Sequence, residues 1–394
     1  MFIKNHNRKQ FTLTIDLSGN LVPASFRQIF RSASSQKTFC AFGHTRFFLP
    51  SITKNLRENP PKAGYRTGLI LIIIILFLCA SCNHRSTMTV ISVNALMMDT
   101  FVSISIYNPR DGDDGILEET LDFIRGLEQL LSRTAAGSDI RRVNEAAGGE
   151  PVAIAAETYE IIKIALDSYE LTGGLFDITI GAVSGLWDFT HGSEPPQCAD
   201  VLIALEFVGL DTIELRNSMI IKKYGGTQLD LGGIAKGFIA DKAHDFLQKK
   251  GVKSAVIDTG GDIRLLGARP ETGIWNVAVE DPFGQSERIG ILGLTGGAVA
   301  TSGSYQRGFF YDGRLYHHIL DPATGYPRET DLISVSVTAE TATFAEILVT
   351  TAFMMGLSDG MQFIEELNKG PDDIGAVFVT ADGMVLYCGS LTLD

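Results

Sequence analysis

A chain of 394 residues has room for one large domain or two ordinary ones. With 45% hydrophobic residues and 41 glycines it can bury a core and turn often, which excludes a disordered chain. The formal net charge of −13 argues against a nucleic-acid partner, because an acidic body gains nothing from a run of phosphates.

The charge is uneven along the chain. Residues 1–60 hold nine Lys/Arg against two acids, Asp16 and Glu58, so the remainder is more acidic than the total suggests. Lys62 and Arg66 then precede an apolar run from Leu69 to Ser81. A positive flank before a short apolar stretch is an export-signal pattern, and the run is shorter than the roughly 20 residues of a spanning helix. Ala80 and Ser81 lead into Cys82, which resembles a bacterial lipoprotein cleavage site, although Cys79 stands where Leu is usual. An uncleaved anchor and a buried core segment are the other readings. The chain thus divides into a doubtful leader (1–60), a signal or lipid anchor (61–82) and a body (83–394). The leader fits no export pattern, and translation is expected to begin within 55–68 at a non-ATG codon. The body is expected on the extracytoplasmic (periplasmic) side of a bacterial envelope, held to the membrane by lipid. Its two cysteines, Cys198 and Cys388, lack metal-type spacing and read as lone core residues.

In chain order, residues 89–107 alternate and are rich in β-formers, predicting a hairpin of Thr89–Val93 and Phe101–Tyr107. Apolar residues at helical spacing predict helices over 115–133, 156–172 and 234–250. After Gly251 comes a strand at Ser254–Asp258, then strands at 262–267, 274–280, 289–294, 297–301, 314–320 and Val335–Val337. Helices follow at 341–356 and 359–368, and strands at 374–380 and 384–388 close the chain. Strands and helices do not alternate strictly, so the fold class is α+β rather than a doubly wound sheet.

Five segments carry possible chemistry. Asp230-Leu231-Gly232-Gly233-Ile234-Ala235-Lys236-Gly237 precedes a helix, where free N–H groups and a lysine suit an anion. Read alone, it is as well a tight turn with a solvated lysine. Asp258-Thr259-Gly260-Gly261-Asp262-Ile263 is a hairpin signal first. Ala298 to Tyr305 ends a small-residue strand with hydroxyls that could wrap a phosphate or ribose. His317 and His318 stand before Asp321-Pro322 and Thr324-Gly325, both turn formers. A near-neutral histidine is the natural acceptor for a hydroxyl proton, while a hydrogen-bonded strand-end histidine is the bland alternative. Thr343, Glu346 and Thr350 share one helix face, which suits oxygen ligation of Mg²⁺ and equally a plain polar face.

Together these segments resemble the ApbE-like flavin transferases (FAD:protein FMN transferases). The matching pieces, in order, are Met98-Asp99-Thr100; Ser138-Asp139-Ile140 to Asn144; Phe176 to Gly181; Trp187; Asp230 to Asp241; Asp258 to Ile263; Ala298 to Tyr305; and His318 to Pro327. The resemblance implies a two-part α+β domain with FAD in a central cleft. Met98, Leu175, Phe176 and Asp177 would line the FAD site, with His317 beside it, and Asp230 and Lys236 would contact the dinucleotide. Mg²⁺ would join the pyrophosphate to the backbone of Gly233 and to Thr343, Glu346 and Thr350. His318 would be the base for a Thr or Ser hydroxyl on a target protein of membrane redox complexes, and AMP would leave.

Two departures stand out. The family usually has Asp where this chain has Glu346. Where the family often has an aromatic residue against the flavin, the aligned residue is Thr134, which weakens FAD retention. That leaves room for hydrolysis of FAD to FMN and AMP, or for a flavin-binding lipoprotein without turnover.

Overall fold

The computed structural model describes residues 88–370, 373–391 and 393. The leader, the signal-like run with Cys82 and the expected start of translation lie outside the described residues.

Strands β1 (Val90–Met97) and β2 (Thr100–Tyr107) pair from Val90↔Tyr107 to Met97↔Thr100. The two residues joining them, Met98 and Asp99, have φ of 53° and 55°. Two successive left-handed residues match the twist of a tight hairpin, although Met rarely adopts this region. The hairpin forms one edge of an eight-stranded sheet that also contains β6 (Ala255–Thr259), β7 (Ile263–Leu266), β10 (Gly297–Gly303), β13 (Leu332–Ala339), β14 (Gly375–Thr380) and β15 (Val385–Gly389). The strand order is β1-β2-β6-β7-β10-β13-β14-β15, and every neighbouring pair is antiparallel.

Side chains alternate across a strand, so β2 sends Val102, Ile104 and Ile106 to one face and Tyr107 to the other. The first face is covered by α1 (Asp113–Leu131), α6 (Ala235–Lys249), α7 (Ala342–Met355) and α8 (Leu357–Leu367). Burying each large aliphatic there stabilises the fold by about 1.5–3 kcal/mol. The opposite face takes a hairpin of β8 (Trp275–Val279) and β9 (Gly290–Leu294), whose Val277, Val279 and Leu292 meet Val299 and Val377. Trp275 stands edge-on to Tyr107, with ring centroids 4.8 Å apart.

Helix α7 decides where the polar chemistry goes. Thr341 caps its start by accepting from the Phe344 N–H, and eleven of its 14 residues are buried. A helix buried nearly all round is normally apolar. Thr343 and Glu346 are buried within it, so each needs a partner from a neighbouring element.

The segment between α1 and α6 holds α2 (Asp139–Glu145), β3 (Pro151–Ala153), α3 (Ala156–Leu171), α4 (Gly181–Ser184), α5 (Cys198–Leu205), β4 (Ile213–Arg216) and β5 (Met219–Lys222). The strands form a small sheet in the order β3-β5-β4. A further hairpin, β11 (Gly308–Tyr311) and β12 (Arg314–His317), stacks Phe309 and Tyr316 with Trp187 and Phe189.

The α+β class expected from the sequence is the observed one. The long elements fall within a few residues of their expected bounds. The expectation omitted α2, α4, α5, β3, β4, β5 and β11, all too short for a periodic pattern to show. The strand expected over 314–320 stops at His317, because the chain enters a turn closed by Gly325 N–H to Asp321 O (2.8 Å).

Candidate active site

The turn before α6 is held from below. The Asp230 N–H donates to Ile178 O (2.8 Å), and Asp230 Oδ1 accepts from Gly232 N–H (2.9 Å), an Asx turn. Asp230 Oδ2 accepts from Arg133 Nη1 (2.8 Å) and from Ser184 Oγ (2.5 Å). Arg133 also donates to Gly181 O (3.2 Å), so it ties the end of α1 to α4 and to this turn. Gly233 lies over the buried Phe176 ring, where an added Cβ would come within 3.3 Å of Cε2.

One turn further on, Lys236 Nζ sits between two buried carboxylates. It pairs with Asp262 Oδ2 (2.6 Å), from the β6–β7 turn, and with Glu346 Oε1, from α7. Glu346 Oε2 accepts from Gly237 N–H (2.7 Å). Gly237 is required here, since a Cβ would stand 2.4 Å from Ala342 O. Burial alone would lower the Lys236 ammonium, but the charges of Asp262 and Glu346 reverse this and hold it raised. Burial pushes the Glu346 carboxyl up against the opposing pull of Lys236, with Asp262 adding to the rise. Burial likewise raises Asp258 to about 6, although Gly261 N–H (2.8 Å) donates to it.

The rest of the α7 face is also engaged. The Thr343 hydroxyl donates to Asp241 Oδ2 (2.6 Å) on α6, and Asp241 accepts from the Ala342 and Thr343 N–H groups as well. Arg264 on β7 pairs with Asp241 (2.8 Å). Thr350 Oγ1 meets Ser302 Oγ on β10 at 3.4 Å.

The two histidines differ sharply. His317 is buried, its Nδ1 accepts from Ile319 N–H (3.3 Å), and its Nε2 faces Arg328 O (3.1 Å). A carbonyl only accepts, so the ring is the neutral Nε2–H tautomer with both nitrogens committed inside the protein. His318 is half-buried, and its Nδ1 is buried without a protein partner among the described residues. Burial, with the positive charge of Arg307 and more weakly that of Lys236, lowers His318 to about 4. It is therefore neutral at pH 7 and able to accept a proton.

The other residues expected at the site are placed as follows. Met98 is half-buried, and its N–H donates to Glu128 Oε1 (2.5 Å). Leu175 packs partly buried against the main core beside Phe176. Asp177 Oδ1 accepts from the Thr179 N–H (2.7 Å) and hydroxyl (2.6 Å), while burial raises its carboxyl. Thr134 is exposed, and its hydroxyl lies 3.2 Å from Ser132 Oγ. The structure thus gathers Lys236, Glu346 and the start of α6 in one cluster, and gives Asp230 to Arg133.

Sequence reasoning assigned no role to Asp262, Asp241, Arg133 or Arg307. Asp262 and Asp241 lie inside motif segments, so their positions were visible. Nothing in the sequence marks Arg133 as the partner of Asp230.

The donor set fits a hard cation only in part from the protein side. Gly233 carbonyl, two threonine hydroxyls and one carboxylate are oxygen ligands of the kind Mg²⁺ prefers. No three His, Cys, Asp or Glu side chains converge on a metal position among the described residues. Mg²⁺ commonly completes its shell with substrate phosphates, so a single protein carboxylate is compatible with it. The surface depression lined by Leu292, Leu294 and Leu391 shares no residue with this cluster.

Comparison with known proteins gives a consistent result. A model of the ApbE family matches residues 98–376. The FAD:protein FMN transferase of Klebsiella pneumoniae is 32% identical over 295 residues, 74% of this chain and 89% of that protein. The one from Treponema pallidum is 31% identical over 337 residues, 79% of this chain and 91% of that one. The crystal structure of the ApbE protein of Thermotoga maritima superposes with a TM-score of 0.70 at 32% identity, covering 76% of this chain and 96% of its own. The flavin transferase ApbE of Vibrio cholerae superposes at 0.69 and 27% identity, covering 77% and 98%.

Proposed function

This chain belongs to the ApbE family, and we propose that it is an FAD:protein FMN transferase that uses Mg²⁺ to move FMN from FAD to a Thr or Ser hydroxyl. One observation carries the chemistry. His318 is neutral, its buried Nδ1 has no protein partner among the described residues, and it feels the charge of Lys236, which two buried carboxylates clamp. A neutral base in the field of a fixed positive charge suits attack of a hydroxyl on a phosphate.

In the proposed step the acceptor oxygen bonds to the phosphorus that carries the riboflavin, and its proton passes to His318. The bond from that phosphorus to the bridging oxygen breaks, and AMP leaves with that oxygen. Lys236 would face the anion in a cleft lined by Met98, Leu175, Phe176 and Asp177. Gly233, Thr343, Glu346 and Thr350 would hold Mg²⁺, which when bound neutralises charge on the pyrophosphate. Cys82 would carry the lipid that tethers the enzyme to the outer side of the membrane, near target flavoproteins of membrane redox complexes.

The test incubates the full chain in detergent with FAD, Mg²⁺ and a protein bearing a candidate acceptor hydroxyl. A mass gain of one FMN on the acceptor, matched by AMP and lost on chelation, is the expected result. Free FMN and AMP with unmodified acceptor would point to hydrolysis instead. A mature N-terminal peptide beginning at a lipidated Cys82 tests the anchor, and an unprocessed chain in the membrane would overturn it.

A further inference from the structure

We infer that His317 is a positioning residue, whose ring clamps the backbone on both sides of the His318 turn and so aims the His318 imidazole. This rests on the reading of His318 as the base. In many acid–base sites the base is itself oriented by a hydrogen-bonded third group. Here His318 Nδ1 has no protein partner among the described residues, so no such group orients the ring through that nitrogen. The backbone around it is held instead. The His318 N–H donates to Arg307 O (3.2 Å), the Ile319 N–H donates to His317 Nδ1 (3.3 Å), and Arg328 N–H returns to Ile319 O (2.9 Å). The other His317 nitrogen donates to Arg328 O (3.1 Å), which closes the turn from its far end.

His317 is itself anchored. It pairs with Gly308 across the β11–β12 hairpin, and its ring stands edge-on to Phe353 near the end of α7, centroids 5.8 Å apart. Arg328 bonds the same region, donating from Nε to Met354 O (2.9 Å) and from Nη1 to Asp321 Oδ2 (2.7 Å). The peptide joining His318 to Ile319 is thus referenced to α7, the helix that also carries Glu346. Base and cation cluster share one rigid support.

The test compares three variants of the full chain with the parent. His317→Leu removes both ring bonds. His317→Asn places an oxygen where Nδ1 stands, keeping the Ile319 bond. His317→Gln keeps a donor for Arg328 O and loses the Ile319 acceptor. A small misplacement of a catalytic group costs about 100-fold in rate. His317→Leu should therefore lower kcat about 100-fold with KM for FAD unchanged, and His317→Asn should recover most of the loss. If His317→Leu fails to fold by near-ultraviolet circular dichroism, His317→Gln takes its place with the same expectation. A second readout is the titration of the His318 C–H resonance. It should stay near about 4 in the parent and in His317→Asn. In His317→Leu it should rise toward the ordinary value of about 6.5 as the ring leaves its buried position. Parent-like kcat in both His317→Leu and His317→Gln, or equal losses of kcat and FAD affinity in all three variants, overturns the inference. His318→Ala is run alongside. Undiminished transfer by that variant removes the base reading, whereas a dead His318→Ala with an active His317→Leu removes only the positioning role.

Discussion

The cluster at the start of α6 and the turn after β12 treat buried polar groups in opposite ways. In the first, Lys236, Asp262, Glu346 and the Gly237 N–H satisfy one another. In the second, His317 is fully bonded while the neighbouring His318 keeps a buried nitrogen with no protein partner among the described residues. An unpaired buried polar group costs stability, so its presence marks a place where the fold has yielded to chemistry. A saturated ion cluster is the reverse: removing one member strands the others.

The comparison predicts where stability and activity separate. The largest effect on stability belongs to Glu346→Ala, which strips the Gly237 N–H of its acceptor and leaves Lys236 with Asp262 alone. Breaking a buried ion pair costs about 3–5 kcal/mol. Urea unfolding should show that loss together with loss of transfer, and a variant of parent stability would break the comparison.

Gly237→Ala comes next. Its methyl would meet the Ala342 backbone at 2.4 Å, and overpacking of this kind costs about 1–3 kcal/mol. Transfer should fall as well, because α6 and α7 must separate and the Glu346–Gly237 bond lengthens.

His318→Ala should lower transfer about 10²- to 10⁴-fold, the range of a general base. Its stability should stay within about 1 kcal/mol of the parent, since the lost packing is offset by removing a buried nitrogen that has no partner among the described residues.

The pH dependence sharpens the same point. His318 is lowered to about 4 when folded, so transfer should persist at pH 5–6 and fall as pH nears 4. Between about 6.5 and 4 the unfolded chain binds a proton that folded His318 refuses, so stability falls with pH in that window. His317, lowered chiefly by burial, adds to the same slope, and His318→Ala should flatten it without abolishing it.

Much of this was legible in the residues. Strict alternation in β2 placed a strand, because side chains of opposite character must face opposite sides of a sheet. The spacing of Thr343, Glu346 and Thr350 put all three on one helix face, as α7 has them. Adjacent glycines marked both turns at the cluster, where Gly260 and Gly261 take φ of 82° and 99°. The paired histidines before Asp321-Pro322 marked the second region.

The sequence by itself determined the α+β class, the long elements and the segments that carry polar chemistry, since these follow from periodicity and from what glycine and proline allow locally. Only the tertiary structure decided which polar groups meet. The Lys236–Glu346 pair is separated by 110 residues and Arg133–Asp230 by 97. No local pattern ties such partners together. Nor does sequence distinguish two adjacent histidines. Their surroundings diverge because one ring turns into the core against Phe353 and the Ile319 and Arg328 backbone, while the next keeps a nitrogen that no hydrogen-bonding group among the described residues reaches.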